Sequence, residues 1–396
     1  MLQCKSKVSS HLQAFTRSGF ALKLLFGLQL QIFVSLFAPS CQAQLPLFNP
    51  QTMNKSGNNQ LGDVPENEQP QGFPNWKLKT LGGAQFWTDV QYAGNWRIQQ
   101  NSETKHHRLL NQSNVRMAWG NRLHCDRKLD QAIAQGQTQL CSGKLVIVMH
   151  GLIRTNGSMA TMAEFLKSQG YSTINFQYAS TRKSVGDHAT ALRSIIDNLG
   201  PEVKEIYFVG HSLGNIVVRR YLGDTQNQAT GAQGDPRIKR IVMIDPPNQG
   251  SAMARFLKNS FLFDKIAGVS GAELSRGWDK LAPTLATPVV EFGIIAGGQA
   301  SEKNLSNFML QGPDDFTVSL EEAKLAGASD LLVRPLLHST MMQKPLALEA
   351  TFSFFKNGYF VSAQERNPIP LAQQPSADAG SLSSNLPNQS GGSSEN

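Results

Sequence analysis

From residue 144 onward, apolar residues occur in short continuous runs separated by longer stretches of mixed polarity. Six runs predict strands: KLVIVMH, STINFQY, EIYFVG, RIKRIVMID, PVVEFGIIAG and DLLVRPLL. Helix-compatible stretches lie between them, at residues 158–168, 185–199, 215–222 and within 252–285. Runs without polar alternation are typical of parallel strands buried on both faces. The pattern predicts an α/β fold, with a mostly parallel sheet covered by helices on both faces.

The flanking segments have a different composition. Residues 44–75 are rich in Gln, Asn, Pro and Gly and predict a disordered linker, and residues 362–396 predict a disordered tail. Residues 76–143 contain strand-like pieces (AQFWTDVQY and WRIQQN) and four of the five tryptophans. We expect a small N-terminal accessory region packed on a main domain at 144–361.

The N-terminus has the pattern of an export signal. Basic residues precede an apolar run at 21–38, and the small-residue site SCQA ends at Ala43. Lys23, Gln29 and Gln31 interrupt the run, which favours a cleaved signal over a membrane anchor. Lipid attachment at Cys41 is a further alternative, although APSC is a poor lipidation motif. We expect an exported protein, periplasmic or secreted, with an uncleaved anchor as the alternative.

Charge argues against nucleic-acid binding, and cysteine usage agrees with export. The formal charge is +8, but without residues 1–43 the chain has 33 basic and 29 acidic residues. That balance does not favour nucleic-acid binding. Cleavage after Ala43 leaves Cys125 and Cys141, 16 positions apart. In an oxidising compartment they predict one disulfide, with two free thiols as the alternative.

The segment EIYFVGHSLGNIVVRRY contains a candidate nucleophile. Gly210-His211-Ser212-Leu213-Gly214 matches G-x-S-x-G, and it stands between an apolar strand and a helix. In that context a sharp turn exposes the serine hydroxyl, and glycines stand where side chains would not fit. Ser212 is therefore a candidate nucleophile, provided that a base and an acid are found.

A single histidine, His338, follows Ser212 in the chain, within RPLLHSTMM. The order serine, acid, histidine expected of this topology makes His338 the candidate base. Three carboxylates could orient it. Asp314 and Asp315 precede His338 by 24 and 23 residues, and Asp245 ends the strand after the nucleophile helix, where it could equally cap a turn.

An oxyanion formed at the substrate carbonyl needs N–H donors. The backbone N–H of Leu213 is one candidate, because Leu213 follows the nucleophile. The second is the N–H of Leu152, in the loop after the strand VIVMH. His150 precedes the serine and is expected to be a hydrogen-bonded turn residue rather than a base.

These motifs together resemble the α/β-hydrolase superfamily, and within it the bacterial lipases and PGAP1-like serine esterases. HGL at 150–152, GHSLG at 210–214, PPNQGS at 246–251, GPDDFTVS at 312–319 and LLHSTMM at 336–342 occur in the expected order. The resemblance covers about residues 144–358 and implies the α/β-hydrolase fold. It also favours Asp315 as the acid, with Asp245 and Asp314 as alternatives.

The predicted function is hydrolysis of carboxylic acyl esters through a Ser-His-Asp triad and an acyl-enzyme. Acyl transfer, thioester cleavage, amide cleavage and a non-catalytic exported binding protein are the alternatives. No cofactor or metal is expected. The substrate is expected to be a small-molecule or lipid ester, and the oligomeric state is left open. Transient contact with a membrane surface is among the expected interactions of the protein.

Residues 252–285 predict a lid or acyl-binding cap. Six apolar residues of this segment could line a lipid-facing groove or pack in the core: Phe256, Leu257, Phe261, Leu262, Phe263 and Ile266.

Overall fold

The computed structural model describes residues 76–227, 232–250, 261–297 and 318–371 of the chain. The predicted signal, Cys41 and the predicted linker therefore lie outside the described residues, as does the tail beyond residue 371. Among the described residues, no helix is both long enough and apolar enough to cross a membrane.

The accessory region is an antiparallel sheet with one helix on it. Its strands are β1 (Leu78–Lys79), β2 (Trp87–Ala93), β3 (Trp96–Asn101), β4 (His107–Leu110) and β5 (Val115–Gly120), in the order β1-β5-β4-β3-β2. Helix α1 (Arg122–Ala134) follows, and Asn121 caps it by accepting a hydrogen bond from the N–H of His124. Trp96, Ile98 and Leu109 of the sheet pack against Cys125 and Leu129 of the helix. The accessory region therefore has a small core of its own.

The main sheet is parallel throughout. Its strands are β6 (Gly143–Met149), β7 (Ser172–Phe176), β8 (Val203–His211), β11 (Ile238–Ile244), β12 (Glu291–Gly297) and β13 (Asp330–Arg334). A short antiparallel hairpin, β9 (Gln226–Asn227) and β10 (Ala232–Gln233), lies between β8 and β11 in the chain. The spatial order is β13-β12-β11-β8-β6-β7, so the nucleophile strand β8 is central. All six predicted strands are confirmed.

Helices cover both faces of this sheet, as predicted. The helices are α2 (Ala160–Ser168), α3 (Val185–Asp197), α4 (Leu213–Thr225), α5 (Phe261–Ser275), α6 (Trp278–Leu281), α7 (Leu320–Ala323) and α8 (Pro345–Asn357). Alternate residues of β6 enter opposite cores: Ile147 packs with α3 and α4, and Val146 with α2 and α8. Because side chains alternate along a strand, only an apolar run can fill both cores.

The predicted disulfide is wrong. Cys125 and Cys141 are both free and buried. Cys125 lies in the accessory core, whereas Cys141 packs with the core of the main sheet just before β6. Burial raises the pKa of both thiols, that of Cys125 to about 12. The two cysteines therefore serve separate cores as small apolar residues.

The predicted tail begins with ordered contacts. Ile369 exchanges backbone hydrogen bonds with the segment after α7, accepting from the N–H of Gly327 at 2.8 Å and donating to the Ala328 carbonyl at 2.8 Å. Buried Asp330 accepts hydrogen bonds from the N–H groups of Phe360 and Asn367. The chain to residue 371 is therefore attached beside β13.

Candidate active site

Ser212 lies in a sharp turn between β8 and α4. Its backbone φ is 53° and its ψ is −121°, a conformation that non-glycine residues rarely adopt. His211 and Leu213 on either side are buried, whereas Ser212 is only half-buried. The turn therefore brings the hydroxyl to the surface at the carboxyl edge of the sheet, where ligands bind in folds of this type.

The glycines of the motif stand where no side chain fits. A Cβ at Gly210 would overlap Asn215 Oδ1, and one at Gly214 would lie 2.8 Å from the Met149 carbonyl oxygen. A Cβ at Gly151 would lie 3.2 Å from the Ser212 Cβ. The spacing of the glycines thus follows from the close packing of β8, α4 and the loop after β6 around Ser212.

His338 follows β13 and is almost completely buried beside this turn. Its Nδ1 lies 2.5 Å from Asp245 Oδ2. Its carbonyl oxygen lies 2.9 Å from His211 Nε2, so its backbone is bound to the residue that precedes Ser212. Within the described residues, the Ser212 hydroxyl makes no hydrogen bond with His338. Such a bond often tightens only in the complex with substrate.

Asp245 comes directly after β11, with a φ of 46°. Its N–H donates to the Ile295 carbonyl at 2.7 Å, and its Oδ1 accepts from the Gly297 N–H at 3.0 Å. One carboxylate oxygen is therefore fixed by the backbone of β12, and the other is directed to His338. A Cβ at Gly297 would lie 2.8 Å from the Leu336 carbonyl oxygen, so this approach also requires glycine.

The carboxylate that contacts His338 is thus Asp245, which the sequence offered as an alternative to Asp315. Asp314 and Asp315 lie outside the described residues. Strand register explains the contact: Ile244 pairs with His211, and the Ser212 N–H donates to the Ile244 carbonyl at 2.9 Å. Asp245 is therefore the residue beside Ser212 on the neighbouring strand. The useful signal in the sequence was its place at the end of the strand that follows the nucleophile helix.

The two predicted oxyanion donors flank the same turn. Leu213 is the first residue of α4, and its N–H belongs to the group that has no partner within a helix. Leu152 lies in the loop after β6, next to Gly151, and no described residue accepts a hydrogen bond from its N–H. Ile153, the next residue, has a φ of 63° and donates its N–H to Ser180 Oγ at 3.0 Å.

Buried histidines around the site are structural. His150 Nδ1 lies 2.8 Å from the Gly151 carbonyl oxygen, and its ring stacks on Tyr178 with centroids 4.1 Å apart. Burial lowers the pKa of His150 to about 4 and that of His211 well below its usual value. Both rings are therefore neutral at pH 7, which agrees with the expected turn role of His150.

Most of the predicted groove lies outside the described residues. Phe256 and Leu257 lie outside the described residues, and so do the side chains of Phe261, Leu262 and Phe263; Ile266 is half-buried in α5. In the described ranges, no group of three or more His, Cys, Asp and Glu side chains could hold a metal ion.

Comparisons with known proteins bear on the fold. A family described as "Alpha/beta hydrolase of unknown function (DUF915)" matches residues 126–263. No curated protein matches the chain. The mature form of Bacillus licheniformis lipase BlEst2 is 18% identical, with a TM-score of 0.38 over 53% of this chain and 89% of that one.

Two further solved structures are similar at the same level. The lin2722 gene product of Listeria innocua is 17% identical, with a TM-score of 0.39 over 58% of this chain and 99% of that one. The metagenomic carboxyl esterase MGS0156 is 17% identical, with a TM-score of 0.38 over 50% of this chain and 66% of that one. The activities in these names are those of the named proteins. The parallel sheet, the turn at Ser212 and the match to the family at residues 126–263 identify the main domain as an α/β-hydrolase fold.

Proposed function

We propose that the protein is a serine hydrolase that cleaves carboxylic acyl esters, with Ser212 as nucleophile, His338 as base and Asp245 as the acid that orients the base. The observation that carries the proposal is the 2.5 Å contact between His338 Nδ1 and Asp245 Oδ2, beside a serine in a left-handed turn. A nucleophile, a base and an orienting acid in this relation are the parts that acyl transfer to serine requires.

In the proposed reaction, Ser212 Oγ attacks the ester carbonyl carbon while His338 Nε2 takes the hydroxyl proton. Asp245 stabilises the imidazolium that forms and fixes its tautomer through Nδ1. The N–H groups of Leu213 and Leu152 hold the oxyanion. When the tetrahedral intermediate collapses, the C–O bond to the alcohol breaks and His338 protonates the leaving oxygen. Water then attacks the acyl-enzyme by the same route and releases the acid.

The test is labelling of the purified protein with a fluorophosphonate probe, comparing wild type with Ser212→Ala and His338→Ala. We expect labelling of the wild type and loss of labelling in both variants, followed by hydrolysis of acyl esters by the wild type alone. Absence of labelling in folded wild type would contradict the proposal and favour a binding protein. If the wild type is labelled but does not hydrolyse esters, the other acyl reactions are favoured. They would show as hydrolysis of thioesters or amides, or as transfer of the acyl group to an acceptor other than water.

We also propose that the protein is exported. The support is the basic, apolar and small-residue order of residues 1–43. Fractionation of the producing cells followed by N-terminal sequencing tests this. A start at Gln44 outside the cytoplasm supports a cleaved signal, an intact Met1 in the membrane fraction supports the anchor, and recovery in the cytoplasm alone contradicts export.

A further inference from the structure

The accessory region supplies no group to the proposed reaction, yet its side chains bond to the hydrolase domain, and one of them, Gln85, bonds to two loops beside the candidate site. Most of this region precedes residue 126, where the family match begins. The connection between β1 and β2 carries Gln85, whose side chain contacts two loops at the carboxyl edge of the main sheet. One loop follows β6, and the other follows β7.

The Gln85 amide is bonded on both sides. Its Nε2 donates to the Arg154 carbonyl oxygen at 2.7 Å. Its Oε1 accepts from Ser180 Oγ at 3.1 Å, from the Thr181 N–H at 3.0 Å and from Thr181 Oγ1 at 3.1 Å. A carbonyl on one side needs a donor and a backbone N–H on the other needs an acceptor, so the orientation of the amide is determined.

Both loops are bonded to the residues that follow Leu152, whose N–H is the second candidate oxyanion donor. Arg154 closes the turn that begins at Gly151, because its N–H donates to the Gly151 carbonyl at 3.3 Å. Ser180 accepts the N–H of Ile153 at 3.0 Å, which holds that residue in its left-handed conformation. Gln85 is therefore bonded to the residues on the C-terminal side of Leu152, directly at Arg154 and through Ser180 at Ile153.

Thr181 also joins the Gln85 contacts to the cap segment. Its carbonyl oxygen accepts the N–H of Val269 in α5 at 3.1 Å. At the preceding residue, Gly268, a Cβ would overlap the same oxygen. Helix α5 is thus bonded to Thr181, and the loop after β6 is bonded to Gln85 through Arg154. Because Gln85 and Thr181 are bonded to each other, they connect α5 with the loop after β6.

The β1–β2 connection is itself held firmly. The Ala84 carbonyl accepts from Gln177 Nε2 at 2.6 Å. Buried Asp89 of β2 donates its N–H to the Gln177 carbonyl at 2.8 Å and accepts the Gln177 N–H at 2.7 Å. On the other side of Gln85, the Phe86 carbonyl accepts the N–H of Ser102 in the accessory region at 2.8 Å. The backbone on either side of Gln85 is therefore held by the accessory sheet and by Gln177 at the end of β7, and Gln85 fixes the loop after β6 from that position.

We propose that Gln85 is a positioning residue that holds the loop of Leu152 in the geometry needed to bind the oxyanion, so that the accessory region completes the active site. This inference rests on the proposed ester hydrolysis. Removal of an oxyanion donor reduces kcat roughly 10²–10³-fold in a serine protease, and a misplaced donor is expected to cost part of that effect.

The test compares wild type with Gln85→Glu, Gln85→Ala and Ser180→Ala in turnover of a p-nitrophenyl ester. The carboxylate of Gln85→Glu would keep an acceptor for Thr181 but place a second oxygen against the Arg154 carbonyl. We expect kcat per active site to fall about 10–100-fold in each variant, with KM nearly unchanged, since the oxyanion forms only in the transition state. Inhibition by a trifluoromethyl ketone, whose adduct carries an oxyanion, should weaken by a similar factor. The double variant Gln85→Ala with Ser180→Ala should be less impaired than the product of the two single effects.

Gln91→Ala is the matched control, because Gln91 in β2 accepts a hydrogen bond from Arg122 within the accessory region and forms no hydrogen bond with the described residues of either loop. It should lower thermal stability without lowering kcat. The inference is overturned if the Gln85 variants keep wild-type kcat and inhibitor affinity, or if Gln91→Ala loses kcat equally. A wild type that hydrolyses no ester would instead contradict the proposed function, so the two failures are distinguishable.

Discussion

At the scale of single residues, the contact with His338 is the reason for choosing Asp245 as the acid of the proposed triad. Asp245 has one oxygen on the Gly297 N–H and the other 2.5 Å from His338 Nδ1. An asparagine at this position would keep its oxygen on Gly297 and place an NH₂ group against His338. That group would force the wrong tautomer on the ring.

We therefore predict that Asp245→Asn lowers kcat for ester hydrolysis roughly 10³–10⁴-fold. Asp315→Asn is the matched control and should leave kcat unchanged. Steady-state kinetics with a p-nitrophenyl ester would measure both. The opposite pattern, with loss only in Asp315→Asn, would return the acid role to the aspartate that the resemblance favours.

Of the candidate site residues, the serine and the histidine could be predicted from the sequence more readily than the acid. Ser212 and His338 could be predicted because each occupies a motif with a defined place in the chain. The choice among Asp245, Asp314 and Asp315 depends on which strand lies beside β8. The number of residues between an aspartate and His338 does not determine the order of the strands. The contacts of Gln85 were equally inaccessible, because they join residues about 70–95 positions apart.

At the scale of elements, the apolar runs predicted the strands well, and local chemistry explains the differences. The run DLLVRPLL extends to Leu337, but β13 ends at Arg334, because Pro335 has no N–H to continue the ladder. The helix after Ser212 begins at Leu213 rather than Asn215, since the serine turn is itself its N-cap. In the accessory region, β4 (HRLL) has only 4 residues, and β5 (VRMAWG) lacks the apolar–polar alternation that WRIQ shows in β3, so their pattern did not indicate strands.

Helix α5 offers a test at this scale. At its kink, Gly268 packs closely against the Thr181 carbonyl, and the next residue, Val269, donates its N–H to that carbonyl. We predict that Gly268→Ala destabilises the protein by several kcal/mol, because the new Cβ would overlap the Thr181 carbonyl in addition to the left-handed strain of about 1 kcal/mol. Gly136→Ala is the control: its φ is 68°, and nothing lies within 4 Å of the added Cβ. Urea unfolding should show a loss near the strain alone for Gly136→Ala. Equal losses in the two variants would contradict this account of the kink.

At the scale of the whole molecule, two cores meet without a covalent link between Cys125 and Cys141. A disulfide closing a loop of this size would contribute roughly 3 kcal/mol in the chain-entropy model. We predict that dithiothreitol leaves the thermal midpoint unchanged and that both thiols react with a maleimide only after unfolding, because burial raises their pKa. A midpoint that falls on reduction would establish the disulfide instead.

The whole molecule should also be sensitive to acid, through two buried histidines: His150 directly after β6 and His188 in α3. Burial lowers the pKa of His150 to about 4. The pKa of His188 is lowered to about 3, mainly by burial; His150 and the charge of Lys183 also lower it, whereas Asp187 raises it. Tyr178 packs between the two rings. Their ordinary pKa in the unfolded chain is about 6.5, so below that pH the unfolded state binds more protons than the folded state.

The stability these neutral rings contribute is therefore complete above pH 6.5 and is lost as the pH falls toward 4 for His150 and toward 3 for His188. At pH 5 the loss is about 2 kcal/mol for each histidine. Thermal midpoints measured from pH 7.5 to 5 should fall steeply for wild type and less steeply for His188→Phe, whose ring can pack on Tyr178 but cannot take a proton. His106→Gln, a change at an exposed histidine, should keep the wild-type slope. If His188→Phe lost stability as fast as wild type over this range, His188 would not contribute to the acid sensitivity.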